Sequence, residues 1–272
     1  MASQTRDVVP QIPLALWRLY LEPIVRPGGP SRATNGFSGA WAHGWLFRQL
    51  AAIDPVYSGR VHDAVPKSFT ISGLLTPPST LAVGADTRYV EIAAWGGVTP
   101  VLIDVVVRRT PGQLVLGSQA WRIIKRERHL TVGEHLTGAA EQLSLHPDIT
   151  VETPLSFRRG GQQWPFPVPD LWLANLAQRV GWDDFVAPPV VRVSWFRGET
   201  KAVRLDKYEV HGFVGQTGWD LGNLDAPSQL RVRWLLSVGE YLGVGYKTAM
   251  GLGRYRLRDN HGYIRPGQSE PA

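Results

Sequence analysis

Between Pro227 and Asp259 the chain reads helix, glycine-rich loop, strand, and this order constrains what the rest can be. Leu230, Trp234, Val238 and Leu242 recur at every fourth position, with Leu235 on the same face, which predicts a helix over 227–242. Pro227 suits a first helical turn and Gly243 the position just past the end. Gly243, Gly245, Gly251 and Gly253 then fall within eleven residues, so the backbone can turn sharply and approach a neighbour closely. From Leu252 to Asp259 the pattern alternates: Leu252, Arg254, Arg256 and Arg258 on one side, Gly253, Tyr255 and Leu257 on the other. A loop of this kind offers N–H groups and the Lys247 cation to an anion, a phosphate above all. A connection that serves only tight packing is the competing reading. Two familiar phosphate loops are excluded. A Walker loop requires Lys directly after Gly, and Tyr246 intervenes; a dinucleotide fingerprint requires glycine where Thr248 stands.

The basic balance points the same way. Lys plus Arg number 29 against 23 Asp plus Glu, a formal charge of +6, which favours an anionic partner. There is no cysteine, so disulfides, thiolate catalysis and cysteine-held zinc or iron–sulfur sites are excluded. The first residues carry no signal-peptide core, and no apolar run reaches the ~18–20 residues of a membrane span. A cytoplasmic protein with no membrane partner is the expectation.

Taken in order, Ala15, Trp17, Leu19 and Leu21 alternate along a first strand, and Ser38 precedes a helix with Ala42, Leu46, Leu50 and Ile53 on its buried face. Asp54-Pro55 ends it and starts a shorter helix with Val61 and His62; Lys67–Leu74 and Thr87–Trp95 read as strands, 98–107 as a helix and 114–125 as a strand. After His146-Pro147-Asp148 the pattern starts afresh. Ile149, Val151, Thr153 and Leu155 mark a strand, and a helix begins near Pro169-Asp170. Strands follow at 191–195 and 203–213, then the terminal helix, loop and strand. Each half runs strand, helix, strand, strand, helix, strand. The expected class is therefore α+β, two tandem ferredoxin-like βαββαβ domains at 10–146 and 147–260, with a flexible tail at 261–272.

Three stretches together resemble the CRISPR-associated endoribonucleases of the RAMP superfamily, the family numbered six among Cas proteins, which cut precursor CRISPR RNA within its repeats. The run Gly243-Val244-Gly245-Tyr246-Lys247-Thr248-Ala249-Met250-Gly251-Leu252-Gly253 is similar to their C-terminal signature. Val151–Phe157 resembles the strand opening their C-terminal domain, with Gly212–Gly215 a weaker point. Gly44-Trp45-Leu46-Phe47, Asp54-Pro55, Val61-His62 and Lys67–Ser72 follow the order of their N-terminal helix, short helix and strand. The resemblance implies metal-independent cleavage without cofactor, repeat RNA as partner, and assembly with other Cas subunits or as a homodimer as further options. It puts the catalytic histidine at His62 and the lysine at Lys67. The family's tyrosine falls on Phe47, which has no hydroxyl, so either His62 and Lys67 suffice or Tyr57 or His43 substitutes. A non-catalytic RAMP RNA-binding subunit of an effector complex is the alternative that Phe47 keeps open.

The chemistry is consistent with those residue types. RNA brings its own nucleophile, the 2′-hydroxyl, so cleavage without a metal needs proton transfer, which histidine supplies near neutral pH, and positive charge on the phosphorane. For backbone binding the candidates are Gly243, Gly245, Lys247, Thr248, Gly251, Gly253 and Arg254 of the loop and strand, with Arg204 and Arg231. His129, His135, His146, His211 and His261 show no metal-ligand spacing, and Asp183-Asp184 reads as a solvated helix end.

Overall fold

The computed structural model describes residues 9–258 apart from 11, 25–36, 132, 183, 184, 186, 206 and 207. The expected tail at 261–272, His261 and Asp183-Asp184 lie outside the described residues. Strand β1 (Leu14–Pro23) leads to helices α1 (Ser38–Ile53) and α2 (Pro55–Asp63), then β2 (Phe69–Ile71), β3 (Arg88–Trp95), α3 (Thr99–Arg109), β4 (Gln113–Leu116) and β5 (Gln119–Thr131). Helix α4 (Gly133–Gln142) precedes β6 (Asp148–Leu155), β7 (Phe157–Arg159), β8 (Gln162–Trp164) and α5 (Pro169–Val180). The chain continues through β9 (Arg192–Leu205), β10 (Tyr208–Asp220), α6 (Ala226–Leu242), a single 3-10 turn at Thr248–Met250, and β11 (Tyr255–Arg258).

Both main sheets are antiparallel. The first is ordered β2-β3-β1-β5-β4 and the second β11-β6-β10-β9. Numbering the strands of each βαββαβ unit in sequence, both give the order 4-1-3-2, with β4 added at one edge of the first sheet. These are two ferredoxin-like units in tandem, as the order of elements predicts.

Strand β1 explains how the units join. Its first eight residues, Leu14 to Leu21, are all buried, so both faces are covered. Ala15, Trp17, Leu19 and Leu21 pack with α1 and α3, whereas Leu14 and Leu16, with Ala93 and Trp95 of β3, share a core with β6, α5 and α6. At the same seam Glu91 accepts from Arg18 Nε at 3.0 Å and from Arg254 Nη2 at 2.8 Å, all three side chains being buried. Thr70 Oγ1 donates to the Tyr241 carbonyl and Trp95 Nε1 to that of Arg179.

Some elements depart from the pattern reading. The strand expected at 203–213 is two arms of one hairpin, in which Leu205 pairs with Tyr208. Apolar positions continue through Val203, Leu205, Tyr208 and Val210 with only a one-residue phase shift after Leu205, and no glycine or proline marks the reversal. The strand expected at 114–125 is likewise β4 and β5, which reverse at Gly117 with φ +62°. Helix α4 (sequence GEHLTGAAEQ) and the β7–β8 hairpin lacked a strong apolar period and went unread. The last strand starts only at Tyr255, because Gly253 has φ +66° and the chain is still turning. No described helix is long and apolar enough to cross a membrane.

Removing Glu91 leaves two buried guanidinium groups without their carboxylate. Glu91→Ala should therefore lose about 3–5 kcal/mol of stability, read as a lower urea midpoint; an unchanged midpoint would mean that water satisfies both arginines.

Candidate active site

The glycine loop crosses itself and presses on its neighbours. Val244 N donates to Gly253 O at 2.9 Å and Gly253 N to Pro154 O at 3.1 Å, and a Cβ on Gly253 would collide with the Val244 carbonyl. Gly245, at φ +91°, lies so close to Ser156 O that a Cβ there would collide too; its N–H donates to Asn175 Oδ1 at 2.8 Å. Tyr246 N donates to Ser156 O, Met250 N to Lys247 O and Gly251 N to Thr248 O. These amides are used inside the protein. The expectation that glycine amides present themselves to an anion is therefore corrected: the glycines permit the crossing, and the loop offers side chains. Lys247 is the one described non-glycine residue at positive φ, +61°, and its Nζ stands 5.2 Å from the Tyr246 ring centre and 5.7 Å from that of Tyr208.

Helices α1 and α2 approach this loop from the other half. His43 is buried on α1, and its Nδ1 is 2.8 Å from the Ala249 carbonyl oxygen. A carbonyl only accepts, so Nδ1 carries the proton and Nε2 the lone pair. Burial pushes the His43 imidazole down to about 4; the hydrogen bond to Ala249 opposes this, and the charges of Lys67, His62 and Lys247 add to it. Helix α2 starts where Asp54 accepts from Tyr57 N at 2.8 Å with Pro55 beside it, a normal N-terminus that fixes where the last turn falls.

In that last turn His62 is exposed, its Nδ1 3.2 Å from Asp63 Oδ1. Lys67 reaches back to cap the same turn: its Nζ donates to the carbonyls of Val61, at 3.0 Å, of Ala64, at 3.3 Å, and of His62. Burial lowers the Lys67 pKa, the Lys247 charge lowers it further, and Asp63 partly opposes. The Phe47 ring bridges the two histidines, with centroids 4.6 Å from His43 and 5.4 Å from His62.

These side chains surround one cavity of about 720 Å³ at the seam between the halves. His43, His62 and Lys67 line it from one side, and Arg158, Arg179 and Lys247 from the other; no aspartate or glutamate is among its lining residues. The lysines and arginines of this wall favour an anionic occupant, and no carboxylate opposes them.

Of the residues singled out in the sequence, Gly245 and Thr248 line it as well. Tyr57 does not: its hydroxyl is 2.6 Å from Thr99 Oγ1, which also meets Ser68. Gly243, Gly251 and Gly253 also lie outside the lining. Arg254 is buried against Glu91, and Arg204 and Arg231 are exposed elsewhere, on β9 and α6. Among the described residues no cluster of His, Asp and Glu could hold a metal ion. Arg158 and Arg179 were missed. A signal existed for Arg179: it is a charged residue within the buried face Trp172, Leu173, Leu176, Ala177, Val180 of α5.

Residues 149–255 match the sequence profile of the family described as CRISPR-associated endoribonuclease Cas6. Over about nine-tenths of the chain the fold matches solved Cas6 structures. The fold is that of Cas6 and the RAMP proteins. The Thermus thermophilus Cas6 (TTHB231) product complex has 21% identity and a TM-score of 0.69, covering 90% of this chain and 100% of that one. The Cas6 (TTHA0078) product complex also has 21% identity and a TM-score of 0.69, covering 91% and 100%. A RAMP protein described as binding different RNA substrates has 13% identity and a TM-score of 0.60, covering 90% and 100%. No curated protein sequence matches significantly. The resemblance read in the sequence thus holds, in the Cas6 profile of the C-terminal half and in the fold over most of the chain.

The low pKa of His43 has a consequence for stability. An unfolded chain protonates this histidine near 6.5 and the folded one only near 4, so between these values the unfolded state binds more protons. The contribution is complete above pH 6.5 and is lost as pH falls toward 4, with a slope of at most about 1.4 kcal/mol per pH unit. His43→Asn, which keeps a donor for the Ala249 carbonyl, should flatten the dependence of urea stability on pH in that window. An unchanged slope would assign it to other groups.

Proposed function

We propose that the chain is an endoribonuclease that cleaves precursor CRISPR RNA within its repeats, by attack of the 2′-hydroxyl on the adjacent phosphate and without a metal ion. The observation that carries this reading is the cavity wall, where two histidines and four cations meet with no carboxylate. The Cas6 profile over residues 149–255 and the product-complex structures of similar fold support the choice of RNA as the anion. In this reading residues 10–146 supply the proton-transfer groups and residues 147–260 the glycine loop.

The 2′ oxygen forms a bond to phosphorus, its proton passes to a base, and the P–O5′ bond breaks as the leaving oxygen takes a proton from an acid. The products are a 2′,3′-cyclic phosphate and a 5′-hydroxyl. His62, exposed at the cavity lip, is the proposed proton-transfer group. His43 is held neutral, so it acts only as an acceptor, at Nε2. Lys67 donates to three carbonyls; all three of its protons are engaged, and it acts on the phosphorane as a fixed charge. Lys247 and Arg158 supply further positive charge from the opposite wall.

A second reading, an RNA-binding RAMP subunit without catalysis, draws on Phe47, which places a ring without a hydroxyl between the two histidines. Cleavage assays with repeat RNA in EDTA separate the two. His62→Ala should lower the cleavage rate by ~10²–10⁴-fold with little change in RNA affinity, and a 2′-deoxy nucleotide at the cut should block the reaction. Loss of activity in EDTA would remove the metal-free mechanism. Tight binding without cleavage by the unmodified protein would favour the second reading.

A further inference from the structure

Arg179 is the most unusual charge in the molecule. It sits on α5, inside the protein, with 7% of its surface exposed. Arginines buried to this degree are normally neutralised by a carboxylate, as Arg18 and Arg254 are by Glu91. Arg179 has none. Its Nη2 donates to Leu242 O at 3.0 Å, its Nη1 donates to the hydroxyl oxygen of Thr248, its Cζ stands 5.0 Å from the Trp95 ring centre, and its Nε is buried with no partner. Burial drags its pKa down to about 9. A positive charge is therefore held in the cavity wall, met by two hydrogen bonds and an aromatic ring but by no carboxylate among the described residues.

Thr248 is the residue through which that charge reaches the cavity. Its oxygen accepts from Arg179, and the residue lines the cavity although only 4% exposed. A hydroxyl whose oxygen already accepts from a cation is polarised, and its own proton becomes a better donor. The space that Thr248 borders carries no aspartate or glutamate in its lining. We infer that Thr248, backed by Arg179, forms a binding subsite for one phosphodiester group of the RNA backbone, with the hydroxyl donating to a phosphate oxygen and the buried guanidinium supplying the countercharge. Arg179 is here a positioning residue, and the bound phosphate provides a negative charge that no described residue supplies to it. This rests on the reading of the cavity as an RNA site.

The test combines protein variants with a phosphate scan. A repeat RNA bound by the unmodified protein is synthesised with single neutral methylphosphonate linkages along its length, and Kd is measured for the unmodified protein, Thr248→Val and Thr248→Ser, with thermal melting as a check on folding. Thr248→Val should weaken binding about tenfold or more, the scale expected of a hydrogen bond to a charged group, and Thr248→Ser should restore it. At one linkage the methylphosphonate should weaken binding to the unmodified protein and have little further effect on Thr248→Val; a merely structural role would instead give additive losses at every linkage. Arg179→Met should reproduce that pattern at the same linkage, and if it does not fold the Thr248 pair decides. Equal affinity of Thr248→Val and the unmodified protein, or additivity throughout, overturns the inference while leaving the RNA reading intact. Failure of the unmodified protein to bind any repeat RNA overturns both.

Discussion

Glu91 holds the two halves in register. It is one carboxylate between two buried guanidiniums, Arg18 from its own sheet and Arg254 from the residue just before β11. Removal of three charges from water is unfavourable unless each is met at good geometry, so only one docking of the halves satisfies the cluster. The apolar surface of Leu14, Leu16, Ala93 and Trp95 drives the association, but such contact tolerates sliding; the charge cluster does not. The cavity inherits its shape from that register, since His43 on one side and Ala249 on the other are joined by a hydrogen bond across the same seam.

Carboxylates are therefore used at the seam and kept out of the cavity. Glu91 neutralises the arginines that build the interface, whereas Arg158, Arg179 and Lys247 are left to face the open space with Lys67. The separation is local and does not follow from the overall surplus of six positive charges, which would be compatible with many distributions. It raises the field where an anion arrives and lowers it where the protein must stay closed.

Much of this was legible in the sequence, for identifiable reasons. Long amphipathic segments announced themselves: α6 through Leu230, Trp234, Val238 and Leu242, and β1 through its alternation. The repeated βαββαβ order then gave the fold class. Reversals without glycine or proline were hard to read, as at Leu205 to Tyr208, where a one-residue shift in the alternation is the sole trace in the sequence. At the site, His62, Lys67, His43 and the loop were found because their order along the chain is informative. The engagement of the loop amides, the burial of Arg254 and the stored charge of Arg179 depend on which residue lies across the seam. Local pattern carries no record of that.

The backbone of Lys247 sets stability against charge placement. A residue with a side chain costs about 1–2 kcal/mol in the left-handed region, where glycine costs far less. Lys247 nonetheless occupies it, at φ +61°, between neighbours rich in glycine. Glycine at this position would relax the turn and leave the Tyr208 and Tyr246 rings with no cation between them. Selection for thermal endurance alone would thus push this position away from lysine, and an optimised scaffold could emerge sturdier and empty-handed.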